Sequence, residues 1–246
     1  MDTRKQESDY GFLGRLGRTR VRPGGRRATE WLLDHVPFTA ETRVLEVACG
    51  TGATSMDMAR RYGCRIEAVD LDADALAVAA ARARAAGLEN LITFRQANAL
   101  ALPFADQSFD VLINEGMLTV LPPAGKVQCV QEYLRVLKPG GFLLTQDIRR
   151  KHQDGQGADH LLTAEGWQQL MEEQGLQDID TLRGELRLMS LDALVEDEGW
   201  QAAVHILQNA LQPENFPRWQ QLYNSYQGAR GDVGSIAIVS CKSKSH

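Results

Sequence analysis

Residues 43–55, Arg-Val-Leu-Glu-Val-Ala-Cys-Gly-Thr-Gly-Ala-Thr-Ser, constrain the fold more than any other stretch of the 246-residue chain. Val44, Leu45 and Val47 form a short apolar run that reads as a buried parallel strand, with Glu46 interrupting it near its carboxyl end. Gly50 and Gly52 turn the chain, and residues 53–62 carry helical spacing at Ala53, Met56 and Ala59. A strand, a glycine turn and a helix present backbone N–H groups, unobstructed by side chains, above the edge of a sheet. That is the local architecture of a nucleotide-type cofactor site in an α/β fold.

The residues also narrow the cofactor. A dinucleotide fingerprint needs a third glycine three residues after the second, where helix packs closely on strand. That position is Ser55. A pyrophosphate would also be repelled by Glu46, whereas a carboxylate there suits a cationic ligand. The stretch Val-Leu-Glu-Val-Ala-Cys-Gly-Thr-Gly closely resembles motif I of the class I S-adenosylmethionine-dependent methyltransferases. The resemblance implies a Rossmann-like, doubly wound seven-stranded sheet with an antiparallel last strand. It also implies S-adenosylmethionine as cofactor, with Glu46, Ala48, Gly50 and Gly52 beside it and S-adenosylhomocysteine as product.

Later segments extend the pattern. Residues 66–71 form a second apolar strand ending Val-Asp-Leu-Asp, and Asp70 follows Glu46 by 24 residues. An acid at the tip of the second strand of a doubly wound sheet reaches ribose hydroxyls. Leu71 beside it is expected on the adenine face, and Asp72 is the better cap for the alanine-rich helix of residues 73–86. The third strand, residues 91–96, leads to Asn98 and Ala99, which match the positions where methyltransferases bond the adenine amino group and face the ring. Leu-Pro-Phe-Ala-Asp-Gln-Ser-Phe-Asp at 102–110 and Arg-Val-Leu-Lys-Pro-Gly-Gly at 135–141 resemble segments of the ubiquinone/menaquinone-type methyltransferases. The second of these is expected to be architectural, with Pro139 ending a helix and Gly140-Gly141 making a tight turn into a strand over 142–146.

The fourth strand, residues 111–113, ends in Asn114-Glu115-Gly116-Met117, where class I enzymes face the transferred methyl group. The resemblance places Asn114 at the cofactor and offers Glu115 as a general base or an anchor for a substrate amine; a structural hydrogen bond is the alternative. The tip lacks Asn-Pro-Pro-Tyr, a Pro-Cys nucleophile and any acid set for magnesium. These absences disfavour amino methylation through that motif, cytosine C5 methylation and catechol-type metal assistance. No metal ligand set is read, and the four cysteines form no C-x-x-C pair.

Charge is uneven. Residues 1–30 hold eight lysines and arginines against four acids, and the remainder holds 19 against 28. Arg15, Arg18, Arg20, Arg22, Arg26 and Arg27 are uninterrupted by an acid. A solvated tail, a lid over the active site and an RNA-contacting arm are all open readings of residues 1–30. The acidic body, residues 31–246, argues against a general nucleic-acid surface. Ser8-Asp9-Tyr10 resembles the tyrosine-containing segment that covers the cofactor in many small-molecule methyltransferases, so Tyr10 is a candidate for contact with methionine carboxylate or substrate.

Beyond Ile148 the pattern is generic. His152 and His160 lie on or just past a charged loop and are candidate bases. Thr163 caps a helix bearing Trp167; a strand is expected over 179–188, two helices over 190–228 and a final strand over 235–240. The insertion, within residues 149–232, reads as a cap over the substrate site. No apolar run approaches the ~20 residues of a membrane span, and the polar N-terminus leads to an expected cytoplasmic location. The expected partner is a small-molecule acceptor, a homodimer stays open, and a non-catalytic cofactor-binding module is the rival from another functional class.

Overall fold

The computed structural model describes residues 9–152 and 160–244; Ser8 and most of the loop holding residues 149–159 lie outside them. In chain order the elements are α1 (Asp9–Arg15), α2 (Gly25–Asp34), β1 (Arg43–Val47), α3 (Ala53–Tyr62), β2 (Arg65–Asp70), α4 (Ala73–Ala85), β3 (Ile92–Gln96) and β4 (Phe109–Glu115). There follow α5 (Pro123–Val136), β5 (Leu137–Arg150), α6 (Ala164–Glu173), β6 (Leu176–Glu185), α7 (Leu191–Glu198), α8 (Trp200–Ala210), α9 (Phe216–Ala229) and β7 (Val233–Lys242). The strands form one seven-stranded sheet in the order β3-β2-β1-β4-β5-β7-β6. Strands β1 to β5 are parallel, and β7 runs antiparallel between β5 and β6. This is the expected Rossmann-like sheet with a reversed last strand and a helical insertion before it.

Local chemistry accounts for the element ends. Asp72 caps α4, accepting hydrogen bonds from the backbone amides of Asp74 and Ala75, and Thr163 caps α6 through Gly166. Gly52 has φ +74°, and a Cβ there would stand 2.9 Å from the Phe94 ring. The second glycine is thus required twice, by left-handed backbone and by close approach to β3.

Both faces of the sheet are covered, as an all-parallel central sheet demands. Val44, Ile66, Ile113 and Leu144 pack with α2, α3 and α4, while Leu45, Leu112, Leu143 and Ile236 pack with α5 and α6 around the fully buried Trp167. A third apolar cluster joins Phe12, Leu13 and Leu16 of the N-terminal segment to Leu194, Ala203, Ile206 and Leu222 of α7, α8 and α9.

Three expectations are corrected. Residues 190–228 form three helices, not two, because Gly199, at φ +83°, breaks α7 from α8. The fifth strand begins at Leu137, with Lys138-Pro139-Gly140-Gly141 inside it at a register shift against β4. The glycines make that irregularity rather than a separate turn: a Cβ on Gly141 would lie 2.9 Å from the Asp110 carbonyl oxygen. The sixth strand covers 176–185, so the chain leaves the sheet before Leu188.

Candidate active site

The parallel register aligns the carboxyl ends of the central strands. Val47 pairs with Val69 and with Asn114, so Glu46, Asp70 and Glu115 emerge at one edge. Above this edge lies a cavity of about 580 Å³, lined by Glu46, Ala48, Gly50, Asp70 and Glu115 below and by Tyr10 and residues 18–22 above. Its size is that of a small-molecule site.

The floor is preorganised. The Asp70 carboxylate accepts the Gly50 amide at 2.8 Å and the Asp72 amide at 2.9 Å, one on each oxygen. Each oxygen retains a lone pair for a further donor, which is what a vicinal diol needs. Glu46 is 5% exposed and accepts a hydrogen bond from the Ser55 hydroxyl. Burial pushes its carboxyl up to about 8, against the opposing pull of Ser55 and Arg22. An uncharged carboxyl at neutral pH is therefore poised to ionise when a cation arrives. Burial likewise keeps the Cys49 thiol protonated, so the turn carries no thiolate nucleophile.

The roof is built from the arginine-rich segment. In an extended chain, side chains two apart share a face, and Arg18, Arg20 and Arg22 each find an acid on a different element. Arg18 lies 3.5 Å from Asp197 at the end of α7, Arg20 lies 2.5 Å from Asp57 of α3, and Arg22 lies 2.8 Å from Glu115 of β4. Glu198 accepts from the Thr19 amide and hydroxyl and from the Arg20 amide at 2.7–2.9 Å. Arg18 and Arg22 are almost completely buried, so these residues do not make a solvated tail.

Glu115 sits where roof meets floor. One of its oxygens accepts from Arg22 Nη1 and from the Thr54 hydroxyl at 2.6 Å. The other accepts from the Thr29 hydroxyl and from Gln146 Nε2 at 2.8 Å. Four donors take up the lone-pair directions of a carboxylate. This geometry favours the structural alternative over general-base work. Tyr10 lies over the tip of β4, its hydroxyl 3.4 Å from where a Gly116 Cβ would stand. Burial, reinforced by Asp147, holds its phenol well above the ordinary range, which leaves it a hydrogen-bond donor.

The other candidates stand apart from the cavity lining. Gly52 is buried beneath the turn, and Leu71 is exposed beside Asp70. Asn98 is exposed and accepts the Leu100 amide through Oδ1, with Ala99 half-buried next to it. Asn114 is fully buried and donates through Nδ2 to Thr145, so its side chain serves the β4–β5 junction. His152 and His160 are exposed. Among the described residues no group of histidine, cysteine, aspartate and glutamate could hold a metal ion. Thr29, Thr54 and Gln146 escape motif reading altogether; Arg22 enters only through the arginine run, whose alternation at 18, 20 and 22 is the available signal.

A cofactor cavity at the glycine turn of this sheet defines the class I methyltransferase architecture, and comparison with known proteins agrees. The methyltransferase-domain family matches residues 44–141. Over nearly the whole chain the protein is similar to one of Haemophilus influenzae described only as uncharacterized, 41% identical over 249 residues and covering 97% of this chain and 99% of that one. A ubiquinone/menaquinone biosynthesis C-methyltransferase of Hahella chejuensis is 36% identical over 121 residues, 48% of this chain and 47% of its own. The chain thus spans about half the length of that relative. A phosphoethanolamine N-methyltransferase 2 of Haemonchus contortus, solved with S-adenosylmethionine, shares the fold at a TM-score of 0.78 and 19% identity, over 98% of this chain and 58% of that one. The protein belongs to the class I S-adenosylmethionine-dependent methyltransferases. It is an enzyme of methyl transfer with S-adenosylmethionine as its donor.

Proposed function

We propose that the acceptor is a small molecule, methylated at an O, N, S or C nucleophile by in-line displacement inside the cavity. One observation carries this reading: the chain's own N-terminal segment roofs the cofactor cavity and spends Arg18, Arg20 and Arg22 on internal acids. A macromolecular acceptor needs an open face, and an RNA arm needs cations left over for phosphates. Arg18, Arg20 and Arg22 are not left over in that sense, since each faces an acid of another element. We read residues 9–24 as a lid on the methyltransferase body and residues 190–229 as the cap that supports it.

The residues present fit the donor. Asp70 keeps a lone pair on each oxygen for ribose hydroxyls, Gly50 leaves the turn open to close approach, and Glu46 offers a buried carboxyl to the ammonium group. When bound, the cofactor supplies a methyl group already activated by a sulfonium. The chain's part is then to orient the acceptor and exclude water, for which alignment supplies on the order of 7–11 kcal/mol in well-oriented intramolecular cases. Tyr10 can donate a hydrogen bond at the β4 tip, and Glu115 holds Arg22, Thr29, Thr54 and Gln146 in register. Acceptors that carry their own nucleophilic lone pair or ionise readily suit such a site, because Glu115, the acid at the β4 tip, is taken up by four donors.

Thermal unfolding with S-adenosylmethionine, S-adenosylhomocysteine and NAD in parallel tests the donor assignment without turnover. A ligand at 100-fold its dissociation constant adds roughly 2.7 kcal/mol, so the two adenosyl compounds should raise the midpoint and NAD should not. RNA binding measured at rising salt tests the acceptor: tight, steeply salt-dependent binding lost on deletion of residues 1–24 would favour an RNA substrate.

A further inference from the structure

Among the described residues nine large apolar side chains stand exposed, and they are not scattered. Leu71, Val78 and Val120 lie at or beside the cofactor cavity. The other six fall between Leu191 and Tyr223, in the cap helices and their connections. Single exposed apolar residues need no explanation, but a concentrated set marks a contact surface. On α8 the set has a period. Trp200, Val204, Leu207 and Leu211 follow one another at steps of 4, 3 and 4, the spacing of a coiled-coil seam. Trp200 is 71% exposed, Val204 38% and Leu211 62%, while Leu207 is half-buried. The adjoining face of the helix already has its partner, because Ala203, Ile206 and Ala210 pack with Phe12, Leu13 and Leu16 of the N-terminal segment. The exposed members of the seam are left over from that packing.

Charge and symmetry specify what the seam fits. From Gly199 to Pro213 the chain carries no aspartate, glutamate, lysine or arginine, in a protein that is 24% charged. At a net charge of −5 two copies repel in general, and this is a face on which they meet without opposing charge. The acids just before it are engaged within the chain: Glu196 by Arg187, Asp197 by Arg18, and Glu198 by Thr19 and Arg20. A helix that lies on a membrane carries lysine or arginine on its polar face, and α8 has neither. The 4-3-4 spacing is also its own reverse. Turned end for end about a point between His205 and Ile206, Trp200 falls on Leu211 of a second copy and Val204 falls on Leu207. A two-fold contact demands that self-complementarity.

We infer that α8 is a self-association helix, through which two copies of this chain pair antiparallel along Trp200, Val204, Leu207 and Leu211. The contact is built on one helix of 11 residues, small beside the ~800 Å² per partner of a standard interface. The dimer is therefore weak, with a dissociation constant of about micromolar or above. None of the four residues lines the cofactor cavity, so pairing leaves the site free.

Sedimentation of the full chain over about 1–300 µM, a range that brackets such an affinity, tests this. The wild type should pass from monomer to dimer across the range. Trp200→Glu should move the transition roughly tenfold or more toward higher concentration. Ala202→Glu puts the same charge on the opposite face of α8 and should leave the transition in place. Both positions are exposed, so both variants should fold and, when dilute, bind S-adenosylhomocysteine as the wild type does. Leu211→Lys should be monomeric like Trp200→Glu, yet an equimolar mixture of these two variants should dimerise again. One end of the mixed pair then sets the new acid against the new base, and the other restores Trp200 to Leu211. A wild type that stays monomeric throughout overturns the proposal; if it also binds phosphatidylcholine–phosphatidylglycerol vesicles through Trp200, the seam belongs to a membrane surface. A dimer that Trp200→Glu does not weaken overturns it as well, by putting the interface elsewhere. Failure of the mixture to recover overturns the antiparallel register.

Discussion

The floor and the roof of the cavity are held together in opposite ways. On the floor, Ser55 bonds Glu46 across 9 residues of sequence and Gly50 bonds Asp70 across 20. On the roof, Arg20 reaches Asp57 across 37 residues, Arg22 reaches Glu115 across 93 and Arg18 reaches Asp197 across 179. The floor consists of strand tips and backbone amides whose placement follows from one βαβ unit after another. The roof consists of arginines whose acid partners lie on three separate elements, α3, β4 and α7. Short-range contacts tolerate local change, whereas a buried pair is vulnerable at either end, because losing one partner strands the other.

That contrast can be broken most forcefully at Asp197. Asp197→Ala leaves the Arg18 guanidinium buried without its acid and removes the acceptor for the Arg26 amide at 2.6 Å. A loss of about 3–5 kcal/mol is expected in denaturant unfolding. A change close to zero would mean that the roof is not held by charge. Asp70→Ala attacks the floor instead. It should lower affinity for S-adenosylhomocysteine roughly hundredfold, by removing two charge-assisted contacts. The unfolding midpoint should move far less than in Asp197→Ala. Near-native affinity in calorimetry would show that β2 does not supply the ribose contact.

A third experiment uses proton linkage at the floor. Glu46 is raised to about 8, so the folded ligand-free protein holds a proton that the unfolded chain has already released. Its stability from this group therefore falls as pH climbs from the ordinary carboxylate range toward 8. A cationic ligand favours the ionised form, so affinity for S-adenosylmethionine should rise with pH up to about 8, approaching tenfold per unit. Binding should release a proton over the same window. Glu46→Gln should flatten both dependences, and a flat profile in the wild type would place the ammonium elsewhere. The smallest effect belongs to Glu198, which accepts three hydrogen bonds from Thr19 and Arg20 at a half-buried site. Glu198→Ala should cost about 1 kcal/mol. It should appear as faster limited proteolysis near residues 16–24, with the core unfolding midpoint little changed.

What was legible tracks the same division. Val44–Val47, Gly50, Gly52 and Asp70 announce the floor because strand burial, positive φ and a carboxylate at a strand tip are local requirements with local residue signatures. The cap of residues 190–228 announces helices but not how many, since Gly199 reads equally as a tolerated helical glycine. The fifth strand is longer than expected because its Pro139-Gly140-Gly141 run, a turn signal by composition, is carried through a register shift against β4. Glu115 is legible as an important residue, but its neighbours change its meaning: four donors, from α2, α3, β5 and Arg22, occupy an acid that looks free in the sequence.

The sequence by itself thus determined the sheet, its glycine turn, the class of cofactor and the acid at the second strand tip, because each depends on residues within one or two turns of chain. Only the tertiary structure decided that the arginine-rich segment is a roof with its charges turned inward. Nothing near Arg18, Arg20 or Arg22 in the chain specifies Asp197, Asp57 or Glu115. Burial gives those charges their partners, and burial is a property of the assembled fold.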